Sequence, residues 1–104
     1  MIETFSVTLP SAGGAPAAEP FLCGVVSSGN LEVLVEGHAR SGACEIHVST
    51  SADGFRTIWE AVLQDFALRH PAGGLRISIN DAGATPAVVS LRLDQAFDGY
   101  RGSR

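Results

Sequence analysis

The chain has 104 residues, of which 45% are hydrophobic and 17% are charged, and its net charge is −4 at pH 7 with histidine neutral. This length and composition predict a single globular domain with a modest core, too small for an enzyme that combines a deep cleft with a separate cofactor lobe. Its seven basic residues are all arginines and do not cluster, which excludes the basic stripe of a nucleic-acid binder, and no apolar run reaches the roughly 20 residues that span a membrane.

The first half of the chain has the pattern of strands separated by turns. Four segments either alternate polar and apolar side chains or form short apolar runs, and these predict strands over residues 4–9, 21–26, 31–36 and 43–50. The stretch 10–20, rich in Pro, Ala and Gly, predicts a flexible loop, and residues 37–42 predict a turn. Gly29 and Asn30 both tolerate positive φ, which indicates a hairpin between the second and third strands.

The second half predicts a helix, a strand and a further helix. Apolar residues recur at helical spacing over about 54–69, preceded by possible capping residues in Ser51–Gly54 and ended by His70 and Pro71. The stripe consists of Phe55, Ile58, Trp59, Val62 and Phe66. Residues 75–80 alternate as a fifth strand does, and Asp81–Ala84 predicts a turn.

The last segment, 86–97, fits two patterns. Val89, Leu91 and Leu93 alternate as in a strand, whereas Thr85 followed by Pro86 is the start of a helix, with a cap and then proline at the first helical position. The helix is the favoured prediction. The tail 99–104 is expected to fray.

Together these elements predict an α+β fold. We expect one domain over residues 1–104, built on a sheet of four to five mostly antiparallel strands with two helices packed on one face. Cys23 and Cys44 form no CxxC or other metal-binding spacing, and two free, mostly buried thiols are expected. The N-terminus has no signal-peptide pattern, so a cytoplasmic location is expected.

The histidines do not indicate a catalytic or metal site. His47 lies mid-strand among polar residues, His38 lies in a turn, and His70 closes a helix, where its charge would favour the helix dipole. None forms a short-range ligand pair, and the sequence has no GxSxG motif. No catalytic residue and no metal ligand are therefore predicted.

The turn Ser27–Asn30 is the remaining candidate for chemistry. Taken alone, it is a hairpin tip. A serine hydroxyl beside a glycine on an exposed turn is nevertheless accessible to the active site of another enzyme, which would supply the base.

Two stretches of the chain resemble a known family. Leu22–Leu34 (LCGVVSSGNLEVL) resembles the prosthetic-group site of the malonate decarboxylase acyl carrier protein, or delta subunit, and more distantly that of the citrate lyase acyl carrier subunit. Asn80–Phe97 (NDAGATPAVVSLRLDQAF) is similar to the family's C-terminal signature. The family pattern is Gly-Ser-Gly-Asp at the site, so Ser27 replaces a glycine and Asn30 replaces an aspartate. Aligning the Ser-Gly pair assigns the modified position to Ser28, with Gly29 as its neighbour.

The resemblance implies a specific covalent group on Ser28. In this family the serine carries 2'-(5''-phosphoribosyl)-3'-dephospho-CoA through a phosphodiester. The thiol of this arm carries acetyl, which is exchanged for malonyl; decarboxylation then regenerates the acetyl form and releases carbon dioxide. Ser27, Gly29 and Asn30 would form the supporting turn.

The same resemblance implies partners and a division of labour in bacterial malonate catabolism. The expected partners are the transferase and decarboxylase subunits of the complex, the holo-carrier synthase that attaches the arm, and a malonyl transferase, with no nucleic acid and no membrane. The catalytic residues would lie in those subunits, and this chain would not be an enzyme.

Three alternatives stay open at this point. The chain is an unmodified assembly module of the same fold, which the changes at Ser27 and Asn30 would favour; or a carrier subunit of a citrate-lyase-type complex; or a small freestanding hydrolase that uses one of its histidines. The sequence alone also leaves Ser27 as an alternative attachment point.

Overall fold

The computed structural model describes residues 2–13, 19–37 and 42–102. The middle of the predicted loop 10–20, most of the predicted turn 37–42, and His38 within it lie outside these residues.

The described ranges contain seven elements. In chain order they are β1 (Glu3–Pro10), β2 (Phe21–Gly24), β3 (Leu31–Gly37), β4 (Ala43–Thr50), α1 (Arg56–Arg69), β5 (Leu75–Asp81) and α2 (Pro86–Gly102). The strands form one sheet in the order β1-β4-β5-β3-β2. Only β4 and β5 pair in parallel, because α1 connects them as a crossover, and the other three pairings are antiparallel.

The core lies between one face of the sheet and the two helices. Alternate residues of the central strands point into it, so that β3 buries Leu31, Val33 and Val35 while their neighbours face the other way. Trp59 of α1 packs edge-on against Phe5 of β1, with ring centroids 6.5 Å apart. The remaining large, fully buried core side chains are Ile46, Leu63, Phe66, Ile77, Leu93 and Tyr100. The predicted fold class, with both helices on one face of a mostly antiparallel sheet, is confirmed.

Within the described residues, no helix lies on the opposite face of the sheet. Polar side chains cross it in register, for example Ser6 beside His47 and Glu36 beside Arg76. Neither helix is long and apolar enough to cross a membrane, over the residues that the structure describes. Both cysteines are free thiols, Cys44 fully buried and Cys23 partly buried.

Strand β2 is shorter than the predicted 21–26. Gly24 has φ +90°, a conformation outside the strand region, and it ends the pairing with β3. Val25 and Val26 are therefore outside the sheet and about half exposed. The hairpin between β2 and β3 is confirmed, with a connection of residues 25–30.

Helix α1 begins later than predicted, and its buried face is rotated relative to the predicted apolar stripe. The N-cap is Phe55, which makes no side-chain cap hydrogen bond, so the capping role expected in Ser51–Gly54 is wrong. Phe55 and Ile58 remain 50% and 45% exposed. The helix buries Trp59 and Phe66 of the predicted stripe, together with Leu63 and Ala67. It ends at Arg69, and His70 is its C-cap, as predicted.

The segment after β5 is a helix, which resolves the ambiguity of its pattern. The Thr85 hydroxyl accepts a hydrogen bond from the Val88 N–H at 3.3 Å, and Pro86 is the first helical residue, so the predicted start is confirmed. The helix continues beyond the predicted end at Phe97 to Gly102, because Tyr100 is buried in the core and holds this last turn. The described part of the predicted tail is thus helical.

Candidate functional site

The turn Ser27–Asn30 is closed by its own backbone. The Asn30 N–H donates to the Ser27 carbonyl at 2.8 Å, which leaves Ser28 and Gly29 as the two central residues. Gly29 has φ +74°, the conformation that the third residue of a type II turn requires. Ser28 therefore occupies the tip of the turn, while the carbonyl of Ser27 takes part in closing it.

A second loop supports this turn from behind. The Gly29 N–H donates to the Ala82 carbonyl at 2.8 Å, and the Ala82 N–H donates to the Asn30 carbonyl at 2.9 Å. These two bonds continue the antiparallel pairing of β3 and β5 beyond Leu31 and Asp81. The position of Ser28 is consequently tied to the loop between β5 and α2.

Asp81 holds that supporting loop. Its carboxylate accepts hydrogen bonds from the Thr50 hydroxyl at 2.8 Å, from the Gly83 N–H at 3.1 Å and from the Ala84 N–H at 2.9 Å. Only 6% of Asp81 is exposed, so these donors replace the water that a buried carboxylate would otherwise need.

Arg92 of α2 fixes the other end of the turn. Its Nη2 donates to Asn30 Oδ1 at 3.0 Å, and the same oxygen accepts the Leu31 N–H at 2.8 Å. Nη1 donates to Gln95 at 2.6 Å. The buried Nε has no hydrogen-bond partner among the described residues, and no described carboxylate pairs with Arg92. A positive charge without a neutralising acid thus lies beside the turn.

Ser28 is exposed, and its hydroxyl makes no hydrogen bond with the described residues. The same holds for the hydroxyl of Ser27. Val25 and Val26 precede them as exposed apolar residues, at 54% and 51%. The turn therefore offers a free hydroxyl on a braced backbone, next to an apolar surface.

A serine–histidine–glutamate chain lies elsewhere, on the open face of the sheet. Ser6 Oγ is 2.6 Å from His47 Nδ1, and His47 Nε2 is 3.1 Å from Glu45 Oε1. The surface position predicted for His47 is confirmed, whereas its contact with Ser6 is not predicted from the sequence, although the alternation of β1 and β4 puts all three residues on one face. His47 and Glu45 lie on β4, which pairs with β1 on one side and with β5 on the other, so the N–H groups of β4 are used by the sheet and do not form an oxyanion hole.

The other titratable candidates have structural roles. His70 lies between Phe66 and Phe97 and contacts Asp94 at 2.8 Å. Burial, together with the nearby charge of Glu45, raises the pKa of the Cys44 thiol from 9.0 to about 12, so this thiol is inert. No group of three His, Cys, Asp or Glu side chains in the described ranges could hold a metal ion.

An apolar pocket opens between the first turns of the two helices. We call it the helix-end pocket; its volume is about 250 Å³. Its lining includes Phe55, Ile58, Trp59, Ala84, Pro86 and Val89. Asp81 and Gly83 also border it, so the loop that supports the Ser28 turn forms one of its walls.

The fold and the site together define a small α+β domain that offers a serine hydroxyl on a braced hairpin loop. The chain belongs to the malonate decarboxylase delta subunit (MdcD) family, whose model matches residues 18–100. This finding confirms the resemblance drawn from the stretches around Ser28 and α2.

Individual relatives agree with the family assignment. The chain is 60% identical over 95 residues to the malonate decarboxylase acyl carrier protein of Burkholderia cepacia, covering 91% of this chain and 87% of that protein. It is 57% identical over 103 residues to the protein of the same name from Xanthomonas axonopodis pv. citri (strain 306), covering 98% of each.

A solved structure has the same fold. One chain of a Pseudomonas malonate decarboxylase hetero-tetramer, crystallised in complex with malonate, is similar with a TM-score of 0.82 and 39% identity. The match covers 94% of this chain and 98% of that one.

The turn is predicted from the sequence, but the residues that hold it are not. Asp81 was interpreted only as part of a strand-to-helix turn, and Arg92 was given no role. An acid at the end of a buried strand is a signal that points to Asp81. The contact of Arg92 with Asn30 spans 62 positions of sequence and has no local signal.

Proposed function

We propose that this chain is the acyl carrier subunit of a malonate decarboxylase complex and that Ser28 carries the prosthetic arm, phosphoribosyl-dephospho-CoA. The observation that carries the proposal is the free, exposed hydroxyl of Ser28 at the tip of a braced turn, in a chain of this family. Its partners would be the transferase and decarboxylase subunits, the holo-carrier synthase and a malonyl transferase.

The position of Ser28 within the turn supports it over Ser27. Ser28 is a central turn residue, whereas the backbone of Ser27 is held at both ends: its N–H donates to the Val25 carbonyl at 3.1 Å and its carbonyl accepts the Asn30 N–H. A synthase that closes around the tip would reach the Ser28 hydroxyl first.

The residues around the turn suit a phosphodiester. Arg92 is held beside Asn30 without a carboxylate partner among the described residues, so its positive charge would attract the phosphate on Ser28. Asn30 contributes to this because it accepts a hydrogen bond from Arg92 without neutralising its charge. Gly29, with no side chain, leaves the approach to the hydroxyl open.

The chain itself would present the acyl group to the active sites of its partners. When bound, the arm supplies a thiol whose acyl thioester accepts the negative charge that develops as a neighbouring carboxylate is lost. The domain supplies the attachment point, and tethering raises the effective concentration of the acyl group at each partner's active site. The catalytic residues would belong to the partner subunits.

Mass spectrometry of the protein from its native host, grown on malonate, tests the proposal. We expect an added mass that matches phosphoribosyl-dephospho-CoA on the peptide that contains Ser28. Ser28→Ala should abolish the added mass, whereas the matched variant Ser27→Ala should keep it.

Two other outcomes would contradict the assignment. If Ser27→Ala, and not Ser28→Ala, removed the mass, the attachment point would be Ser27. A fully unmodified protein from cells that are using malonate would favour the assembly module instead.

A further inference from the structure

From the geometry of the helix-end pocket, we infer that it receives the acyl end of the arm when that end carries acetyl and excludes it when it carries malonyl. This inference rests on the proposed function, because it requires an arm on Ser28. It adds a binding site for the acyl thioester on the carrier itself.

The pocket lies within reach of the arm. The Gly29 N–H bonds directly to the Ala82 carbonyl, and Gly83 already lines the pocket. The path through this hydrogen bond limits the distance from Ser28 Cα to Gly83 Cα to about 10 Å. The pantetheine portion of the arm alone reaches roughly 15 Å when extended, the length of a few residues of extended chain.

The pocket has the size and polarity for a small apolar group. Its volume, about 250 Å³, would hold an acetyl thioester with the adjoining part of the arm. Phe55 and Ile58 lie at its rim, and both apolar side chains remain about half exposed. Covering these two side chains would remove apolar surface from water.

The charge of the pocket explains the discrimination. Of the side chains that line it in the described part of the chain, Asp81 is the charged one, and it is acidic. A malonyl carboxylate in this pocket would lose its water, would find no cation and would lie near the Asp81 carboxylate. The acetyl form has no such cost. The pocket would therefore shelter the acetyl thioester and release the malonyl form to the decarboxylase subunits.

The test uses the full-length, unmodified protein, so it does not depend on the attachment chemistry. S-acetylpantetheine, S-malonylpantetheine and pantetheine are titrated separately. Binding is followed by the fluorescence of Trp59, the one tryptophan of the chain, and by amide NMR shifts. We expect the acetyl probe to shift the amide signals of residues 83–85 and 87–89 and to bind at least about tenfold more tightly than the malonyl probe.

A matched pair of variants on α1 locates the site. Ile58→Glu places a carboxylate at the pocket rim and should weaken binding of the acetyl probe by about tenfold or more. Leu68→Glu makes the same change on the same helix at a position that is 84% exposed and outside the pocket, and should leave binding unchanged. Both positions are exposed, so both variants are expected to fold.

Three results would overturn the inference. One is the absence of shifts with any probe; the second is equal affinity for the acetyl and malonyl probes. The third is a loss of complex assembly in Ile58→Glu without probe binding, which would make the pocket a docking site for a partner's side chain. If mass spectrometry finds no arm on Ser28, the proposed function fails whatever the titration gives; if the arm is present and the titration is negative, only the pocket inference fails.

Discussion

Gly24 and Gly29 both have positive φ, at +90° and +74°, but their surroundings differ. A Cβ atom added to Gly24 would overlap the carbonyl oxygen of Leu31 and press on the side chain of Arg92. A Cβ added to Gly29 would meet open space. One glycine thus permits close packing behind the site, while the other serves only the conformation of the turn.

We expect Gly24→Ala to be far more destabilising than Gly29→Ala. Gly29→Ala should cost about 1 to 2 kcal/mol of unfolding free energy, the cost of left-handed backbone in an L-residue. Gly24→Ala adds a clash with backbone and should cost about 3 kcal/mol or more. Urea denaturation of the two variants measures the difference. Equal costs would mean that β2 shifts freely away from β3 and Arg92.

Asp81, the last residue of β5, connects this strand to three other parts of the fold. Its carboxylate joins β4 through Thr50, the loop through Gly83, and the approach to α2 through Ala84. The residue after it, Ala82, then pairs with both Gly29 and Asn30. Order in the Ser28 turn therefore depends on an acid that lies outside the turn.

Asp81→Asn tests this dependence. The amide has a single acceptor oxygen, so at least one of the three donors loses its partner, and the unfolding free energy should fall by about 1 to 3 kcal/mol. Amide hydrogen exchange of Gly29 should accelerate at the same time. The matched control is Asp53→Asn. Asp53 is an exposed acid in the loop between β4 and α1, and its substitution should change neither quantity. If Asp81→Asn left the hydrogen-exchange protection of Gly29 unchanged, order in the Ser28 turn would not depend on the loop that Asp81 holds.

Most elements could be predicted because their patterns are local. The alternation in β3, β4 and β5 and the Thr85-Pro86 start of α2 each depend on a few neighbouring residues. The errors occurred where tertiary packing decides the outcome. The face that α1 buries depends on how the helix crosses the sheet, and the end of α2 depends on the burial of Tyr100.

The candidate site could be predicted only in part, for the same reason. Ser28 was found because the residues around it resemble a family pattern. The supports of the turn, Asp81 and Arg92, are about 50 to 60 positions away in sequence, and a hydrogen bond over that distance leaves no periodic trace. The pairing of Ser6 with His47 was missed likewise, since it requires the order of the strands.

One face of the sheet is covered by the core, and the other face is polar. Both helices cover one face of the sheet, and the core between them includes Cys44, which is fully buried. The opposite face is polar and includes Glu45, the neighbour of Cys44 along β4. A thiolate at Cys44 would be both desolvated and close to a carboxylate, so the folded protein holds the thiol proton to a pKa of about 12.

This shift predicts how stability depends on alkaline pH. Below about pH 9, the thiol is protonated in the folded and unfolded chains, and its contribution to stability is fully present. Between about 9 and 12, the unfolded chain releases the proton and the folded chain keeps it, so the unfolding free energy falls as the pH rises. The fall should approach about 1.4 kcal/mol per pH unit.

Cys44→Ala removes the titrating group and should lack this component, although its cavity lowers stability at every pH. Urea denaturation of both proteins under reducing conditions, from about pH 8 to about pH 11, gives the two slopes. Parallel curves would mean that Cys44 ionises in the folded state at an ordinary pH, and hence that water reaches the core between the helices and the sheet.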